Sequence, residues 1–169
     1  MVASACDPAG SSSQGGINAG NAGQGAQALI GKPIPDVEVK TLGGAPAHLQ
    51  TALGGRPALI SFWASWCEAC MDEVPALNKL TASSRADGVV LGVAVGDSPE
   101  KARAVVTDKS LAYDSLVDAD FKLADALGQR NVPFTMVLDR EGHVVFTGGA
   151  LDQAAVSAFE RARAGTSAP

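Results

Sequence analysis

Two cysteines, Cys67 and Cys70, stand three positions apart in the run Trp63-Ala64-Ser65-Trp66-Cys67-Glu68-Ala69-Cys70-Met71-Asp72-Glu73. Sulfurs at i and i+3 in the first turn of a helix are within reach of each other for a disulfide. A pair that can open and close is the minimum equipment for thiol–disulfide exchange: one nucleophilic thiolate, and a second thiol that resolves the mixed disulfide. Cys67, where an apolar run meets a helical stretch, is the expected nucleophile. Unpaired N–H groups and the helix macrodipole favour an anion there. Cys70, one turn further in, is the expected resolving thiol. Glu68 sits directly beside Cys67 and is expected in solvent, and Glu73, three residues past Cys70, can face the same site. A zinc site needs about four ligands, which one pair and two distant histidines do not supply, so no metal and no cofactor are expected.

The elements that must position this pair follow from pattern. Ala58 to Trp63 is a short apolar run bounded by Gly54-Gly55-Arg56-Pro57, the signature of a buried strand, and Glu68 to Leu80 has helical character. Val89 to Val95 is a second apolar run, so strand, helix and strand form a βαβ unit with a parallel pairing. Upstream, Val37 to Thr41 alternates, Gly43-Gly44 is a hairpin signal, and a second strand is expected over Pro46 to Leu49. Downstream, Ser98 with Pro99 and Glu100 announces a helix to about Asp108. A strand is expected at Ser115 to Val117, a helix from Phe121 to Leu127 ending at Gly128, and a strand after Val132-Pro133. Asp139 to Gly142 turns into a strand over His143 to Thr147. A last helix from Asp152 to Arg163 places Ala155, Val156 and Phe159 on one face. His48 and His143 fall in strands and are expected to be ordinary surface residues.

Phe62-Trp63-Ala64-Ser65-Trp66-Cys67-Glu68-Ala69-Cys70, with Glu73 and Pro75 behind it and Val132-Pro133-Phe134-Thr135 downstream, resembles the thioredoxin-like proteins of the extracytoplasmic TlpA/ResA/CcmG (DsbE-like) branch, over roughly residues 30–163. The resemblance implies an α/β thioredoxin-like fold: a central mixed β-sheet flanked by helices, with an added N-terminal β-hairpin. It implies a cis bond before Pro133, facing the cysteine pair, where a trans proline opening a strand is the plainer alternative. It also implies that Trp66 covers the site and that Val132 offers its backbone to an extended substrate, so that Trp66, Glu68, Ala69, Val132 and Pro133 form the substrate face. Thioredoxin carries a buried Asp where this chain has Ser61, and ResA-type relatives use an acid at the place of Glu73. Glu73 is therefore either a substitute proton acceptor for Cys70 or a carboxylate that supports the helix dipole. The CxxxC and histidine of Sco-type copper chaperones and the Pro/Thr pattern around a peroxiredoxin cysteine do not match.

Composition bounds the rest. A chain of 169 residues with 46% hydrophobic residues predicts one domain able to bury its own core. A net charge of −5 argues against nucleic acid as a partner. No run of 18 apolar residues is present to span a membrane. Residues 7–28 are Gly/Ser/Ala/Asn/Gln-rich and predict a flexible linker, with the thioredoxin-like domain at 29–169. Val2-Ala3-Ser4-Ala5-Cys6 resembles the end of a lipoprotein signal, with Ala3 where Leu is usual and the earlier regions missing, as in a chain trimmed within its signal. Cys6 is thus a candidate lipid anchor, or else a spare thiol in a tail.

These readings lead to one functional expectation: an extracytoplasmic thiol–disulfide oxidoreductase, held at the outer face of the bacterial cytoplasmic membrane. Its partners would be protein thiols and disulfides and a membrane electron-transfer protein, and it would act as a monomer. Glu68 within the pair disfavours the Cys67 thiolate and lowers the potential. A reductase is therefore expected, of which the preparation of apocytochrome c for haem attachment is the family's best-known case. A thiol oxidase for exported proteins and a redox-inert binding module are the alternatives.

Overall fold

The computed structural model describes residues 27–166. Cys6 and the linker up to residue 26, on which the anchor and tether expectations fall, lie outside the described residues. The order of elements is β1 (Glu38–Thr41), β2 (Pro46–His48), α1 (Leu49–Leu53), β3 (Ala58–Trp63), α2 (Glu68–Asp72), α3 (Val74–Ser84), β4 (Val89–Val95), α4 (Pro99–Asp108), β5 (Asp114–Asp118), α5 (Lys122–Ala126), β6 (Phe134–Leu138), β7 (Val144–Gly148) and α6 (Gln153–Arg163). The seven strands form one sheet in the order β2-β1-β5-β4-β3-β6-β7. β3 pairs parallel with β4 and antiparallel with β6, and the β1–β2 hairpin joins the far edge by pairing antiparallel with β5. This is the mixed sheet with an added N-terminal hairpin that the resemblance implies.

All six residues of β3 are buried. A strand without a polar face is stable only when both sides of the sheet are covered. Its side chains alternate between two cores. Ile60 and Phe62 enter one core with Leu49 and Leu53 of α1 and Leu123 of α5. Leu59 and Trp63 enter the other with Leu77 of α3, Ala102 of α4 and Phe159 of α6. Both cysteines of the pair belong to this second core.

Three local expectations are corrected. Leu49 is not in β2: it opens the five-residue α1, which ends at Gly54 with φ 60°. One helical turn is too short to show a period, but burying Leu49 and Leu53 on one side makes it helical. The helix expected over Glu68 to Leu80 is two helices, α2 and α3, with Glu73 between them. Pro75 has no N–H to donate back and its ring crowds the carbonyl of Met71, so it starts a new helix near its N-terminus instead of continuing the old one. Phe121 lies before α5 in the left-handed region, φ 59°, because Asp118 caps that helix from outside: its carboxylate accepts from Leu123 N (3.2 Å) and Ala124 N (2.8 Å).

Gly92 in β4 is a close-packing point. A Cβ there would lie 2.5 Å from Ser115 Oγ and 2.7 Å from Trp63 Nε1, both deep in the second core. Gly92→Ala is expected to destabilise the fold by about 1–3 kcal/mol through overpacking, read as a lower urea midpoint at unchanged slope.

Candidate active site

β3 ends at Trp63, and a turn carries the chain into α2, with Cys67 N–H donating to Ala64 O at 3.0 Å. Cys67 has extended backbone and caps α2, and its Sγ accepts from Cys70 N–H at 3.2 Å. Cys67 and Cys70 are joined by a disulfide. The five-residue α2 is a short carrier of macrodipole. The direct Cys70 N–H contact is the local interaction that supports negative charge on Cys67.

The pair is brought together as expected, but its exposure is not as expected. Cys67 is 6% exposed and Cys70 2% exposed. In the closed disulfide the sulfurs pack onto the core of Leu59, Trp63 and Val74, so the nucleophile is not open to solvent in this state. Trp66, the residue before Cys67, is 71% exposed. Trp63, the last inward residue of β3, takes the core position at 1% exposure, and Trp66 falls in the turn beyond it. Glu68, as expected, and Ala69 are exposed beside it. The Val132–Pro133 bond is cis. Val132 is half-buried and packs against both cores, and β6 pairs antiparallel with β3, Phe62 opposite Phe134, so the proline loop lies at the end of the sheet where β3 leads into the pair.

Glu73 occupies the break between α2 and α3. Its Oε1 accepts from Leu151 N–H at 2.8 Å, while Oε2 is buried without a partner. Burial pushes its carboxyl above the ordinary range, and the Leu151 bond works against that shift. Burial also raises the Tyr113 hydroxyl, with the charge of Glu73 adding to the effect. Ser61 is buried on β3, opposite Thr135 of β6, so small hydroxyls stand at the strand position and the acid comes from the helix break.

Both histidines lie on the surface. His48 Nδ1 is 2.9 Å from Asp36 Oδ1, and His143 Nδ1 is 3.6 Å from Asp139 Oδ2. Two groups of the site were not anticipated. Leu151 N–H reaches Glu73 from the loop before α6. Asp97, 2% exposed, accepts at 2.6 Å from Ser65 N–H and at 2.6 Å from Ser65 Oγ. A signal for Asp97 exists: it stands two residues past β4, and residues just past parallel strands share the end of the sheet where sites form.

Two clefts, of about 260 and 270 Å³, lie elsewhere. One runs between the β6–β7 turn and the end of α6, the other beside Arg56, Arg85 and Tyr113, and the pair lines neither.

The raised Glu73 carboxyl has a consequence for stability. Its proton is held more tightly folded than unfolded, so its full contribution is present below the ordinary carboxyl value of 4.5 and is lost as pH rises through the higher folded value. Glu73→Gln keeps the acceptor for Leu151 and removes the titration. In the oxidised protein, the melting temperature of Glu73→Gln relative to the unaltered chain should be higher at pH 7 than at pH 4. A difference independent of pH would contradict this.

Comparison with known proteins places these features in a family. The AhpC/TSA family matches residues 30–147. The thiol:disulfide interchange protein DsbE of Pseudomonas fluorescens biotype C is 34% identical over 116 residues, covering 68% of this chain and 63% of that protein. The thioredoxin-like protein YneN of Bacillus subtilis (strain 168) is 33% identical over 115 residues, covering 66% of each. The chain thus spans just under two thirds of the length of these curated relatives. Among solved structures, a secreted Mycobacterium tuberculosis disulfide oxidoreductase homologous to E. coli DsbE superposes with a TM-score of 0.62 at 25% identity, covering 76% of this chain and 96% of that one.

Proposed function

The chain belongs to the AhpC/TSA family, and from that premise we propose that it is a thiol–disulfide oxidoreductase that exchanges its Cys67–Cys70 pair with protein substrates outside the cytoplasm. The observation that carries this reading is the pair itself: a disulfide just past the carboxyl end of β3, with Cys70 N–H on Cys67 Sγ and the cis Val132–Pro133 loop at the same end of the sheet. Likeness to proteins named for thiol:disulfide interchange, one of them secreted, supports both the chemistry and the location.

In the exchange, the Cys67 thiolate attacks a sulfur of a client disulfide, forming a mixed disulfide and releasing one client thiolate. Cys70, losing its proton, then attacks the Cys67 sulfur. The second client thiolate leaves, two electrons have passed to the client, and the pair is closed. Glu73 receives the Cys70 proton: it follows Cys70 by one turn, and burial raises its carboxyl toward the range where it takes up protons. Trp66, Glu68, Ala69, Val132 and Pro133 form the face that meets the client. A membrane partner returns the pair to the dithiol form, and lipid on Cys6 with the linker to residue 28 tethers a monomeric domain of residues 29–169.

The direction is reductive. Glu68 and Asp72 stand in α2 and Glu73 follows it, with no basic residue in that helix. Negative charge near Cys67 disfavours the thiolate and favours the disulfide, which lowers the potential. The resemblance makes apocytochrome c the first client to test.

Equilibration with glutathione and dithiothreitol buffers should give a potential near that of thioredoxin, about −270 mV. A value near the −120 mV or so of DsbA would make the protein an oxidase, and no exchange would remove the enzyme reading. Cys70→Ser should accumulate a mixed disulfide with the client, visible by mass spectrometry, and Cys67→Ser should form none. In the reduced protein, Glu73→Gln should shift the Cys70 titration; unchanged titration of both cysteines would return Glu73 to a role in the helix alone.

A further inference from the structure

Asp97 is an acid buried at 2% exposure, and both of its oxygens are used by one residue, Ser65. Ser65 N–H and Ser65 Oγ each donate at 2.6 Å, the short distance of charge-assisted bonds. Ser65 is two positions before Cys67, inside the turn closed by Cys67 N–H on Ala64 O. The bonds cross from the end of β4 to the end of β3, tying the turn to the neighbouring strand.

The base of this tie is itself closely packed. Gly96 has φ +70° and donates to Asp118 O at 2.9 Å. The Phe121 ring fills the space that a Cβ on Gly96 would need. The Arg130 guanidinium lies 4.8 Å over that ring, and Arg130 precedes the cis Pro133 by three residues. The strand end that carries Asp97 is thus packed against Phe121 and Arg130.

We propose that Asp97 is a positioning residue for thiol–disulfide exchange, holding the Ser65–Trp66 turn so that Cys67 keeps its sulfur against Cys70 when the pair is reduced. This rests on the exchange reading above. In the closed state the disulfide itself limits the turn. In the open state the two bonds to Ser65 take over, and they keep the thiols at a high effective concentration toward each other. The tether thus acts mainly on the dithiol, and losing it makes the disulfide less favoured.

The test equilibrates the full-length chain and three variants in glutathione buffers and reads the effective concentration of the pair, with melting temperature measured beside it. Asp97→Ala should lower the effective concentration about tenfold, moving the potential up by about 30 mV. Asp97→Asn can still accept from Ser65 N–H and donate to Ser65 Oγ, and should stay within threefold of the unaltered chain. Ser65→Ala leaves the Asp97 charge in place and removes one bond, and should lower the effective concentration two- to fivefold. The proposal is overturned if Asp97→Ala matches the unaltered chain, or if Asp97→Asn moves as far as Asp97→Ala, which would make charge the cause. A lower melting temperature with unchanged potential would also overturn it, as a purely structural role. Should Asp97→Ala not fold, Ser65→Ala decides: a shift supports the tether, and equality with the unaltered chain overturns it. No exchange by the unaltered chain itself would fail the underlying reading and this inference with it.

Discussion

The structure is governed by the double-sided burial of β3. A strand with no solvent face has to be covered by helices on both sides, and the only part of it that can meet another molecule is its end. The cysteine pair sits at that end, on top of the core that Leu59 and Trp63 enter. The neighbours of β3 then supply what surrounds the pair. β4 ends at Val95, two residues before Asp97, β6 begins behind Pro133, and the helix that leaves the pair is interrupted where Glu73 meets the loop before α6. Each group is delivered by an element whose place is fixed by pairing or packing with the central strand.

Much of this was legible in the sequence where one local pattern decides the outcome. The runs 58–63 and 89–95 are strands because they are short, apolar and bounded by turn residues, and Ser98 caps α4 by accepting from Lys101 N–H at 3.4 Å. The added hairpin and the cis bond at Pro133 came through the resemblance; Gly43-Gly44 marks the hairpin turn and composition alone does not specify either feature's place. What was not legible depends on residues far apart in the chain. Leu151 finds Glu73 across 78 positions and Asp97 finds Ser65 across 32. The break at Glu73 is a different case: Pro75 announced it, but helical periodicity continued through Leu77 and Leu80 and masked the interruption. The exposure of Trp66 follows from Trp63 having already taken the inward position.

Two acids close to the pair differ in how their charge is met. Asp97 has a donor for each oxygen, whereas Glu73 has a donor for one oxygen and none for the other. A fully met carboxylate in a dry site holds a shape, because breaking either bond leaves charge uncompensated. A half-met one is suited to exchanging a proton, since its neutral form loses little. Two carboxyl groups beside the turn thus differ in how many backbone and hydroxyl donors reach them, which suits one to the proposed positioning role and the other to the proposed proton transfer.

The two tryptophans make the site optically addressable. Trp63 is sealed in the core at 1% exposure, while Trp66 stands in water at 71%, one residue from the disulfide. A dissolved quencher such as iodide reaches only the second indole, so the remaining emission is the steady background of the first. The quenchable fraction is then a private channel for events at the sulfurs: shielding of that fraction reports a docked macromolecule without any attached dye.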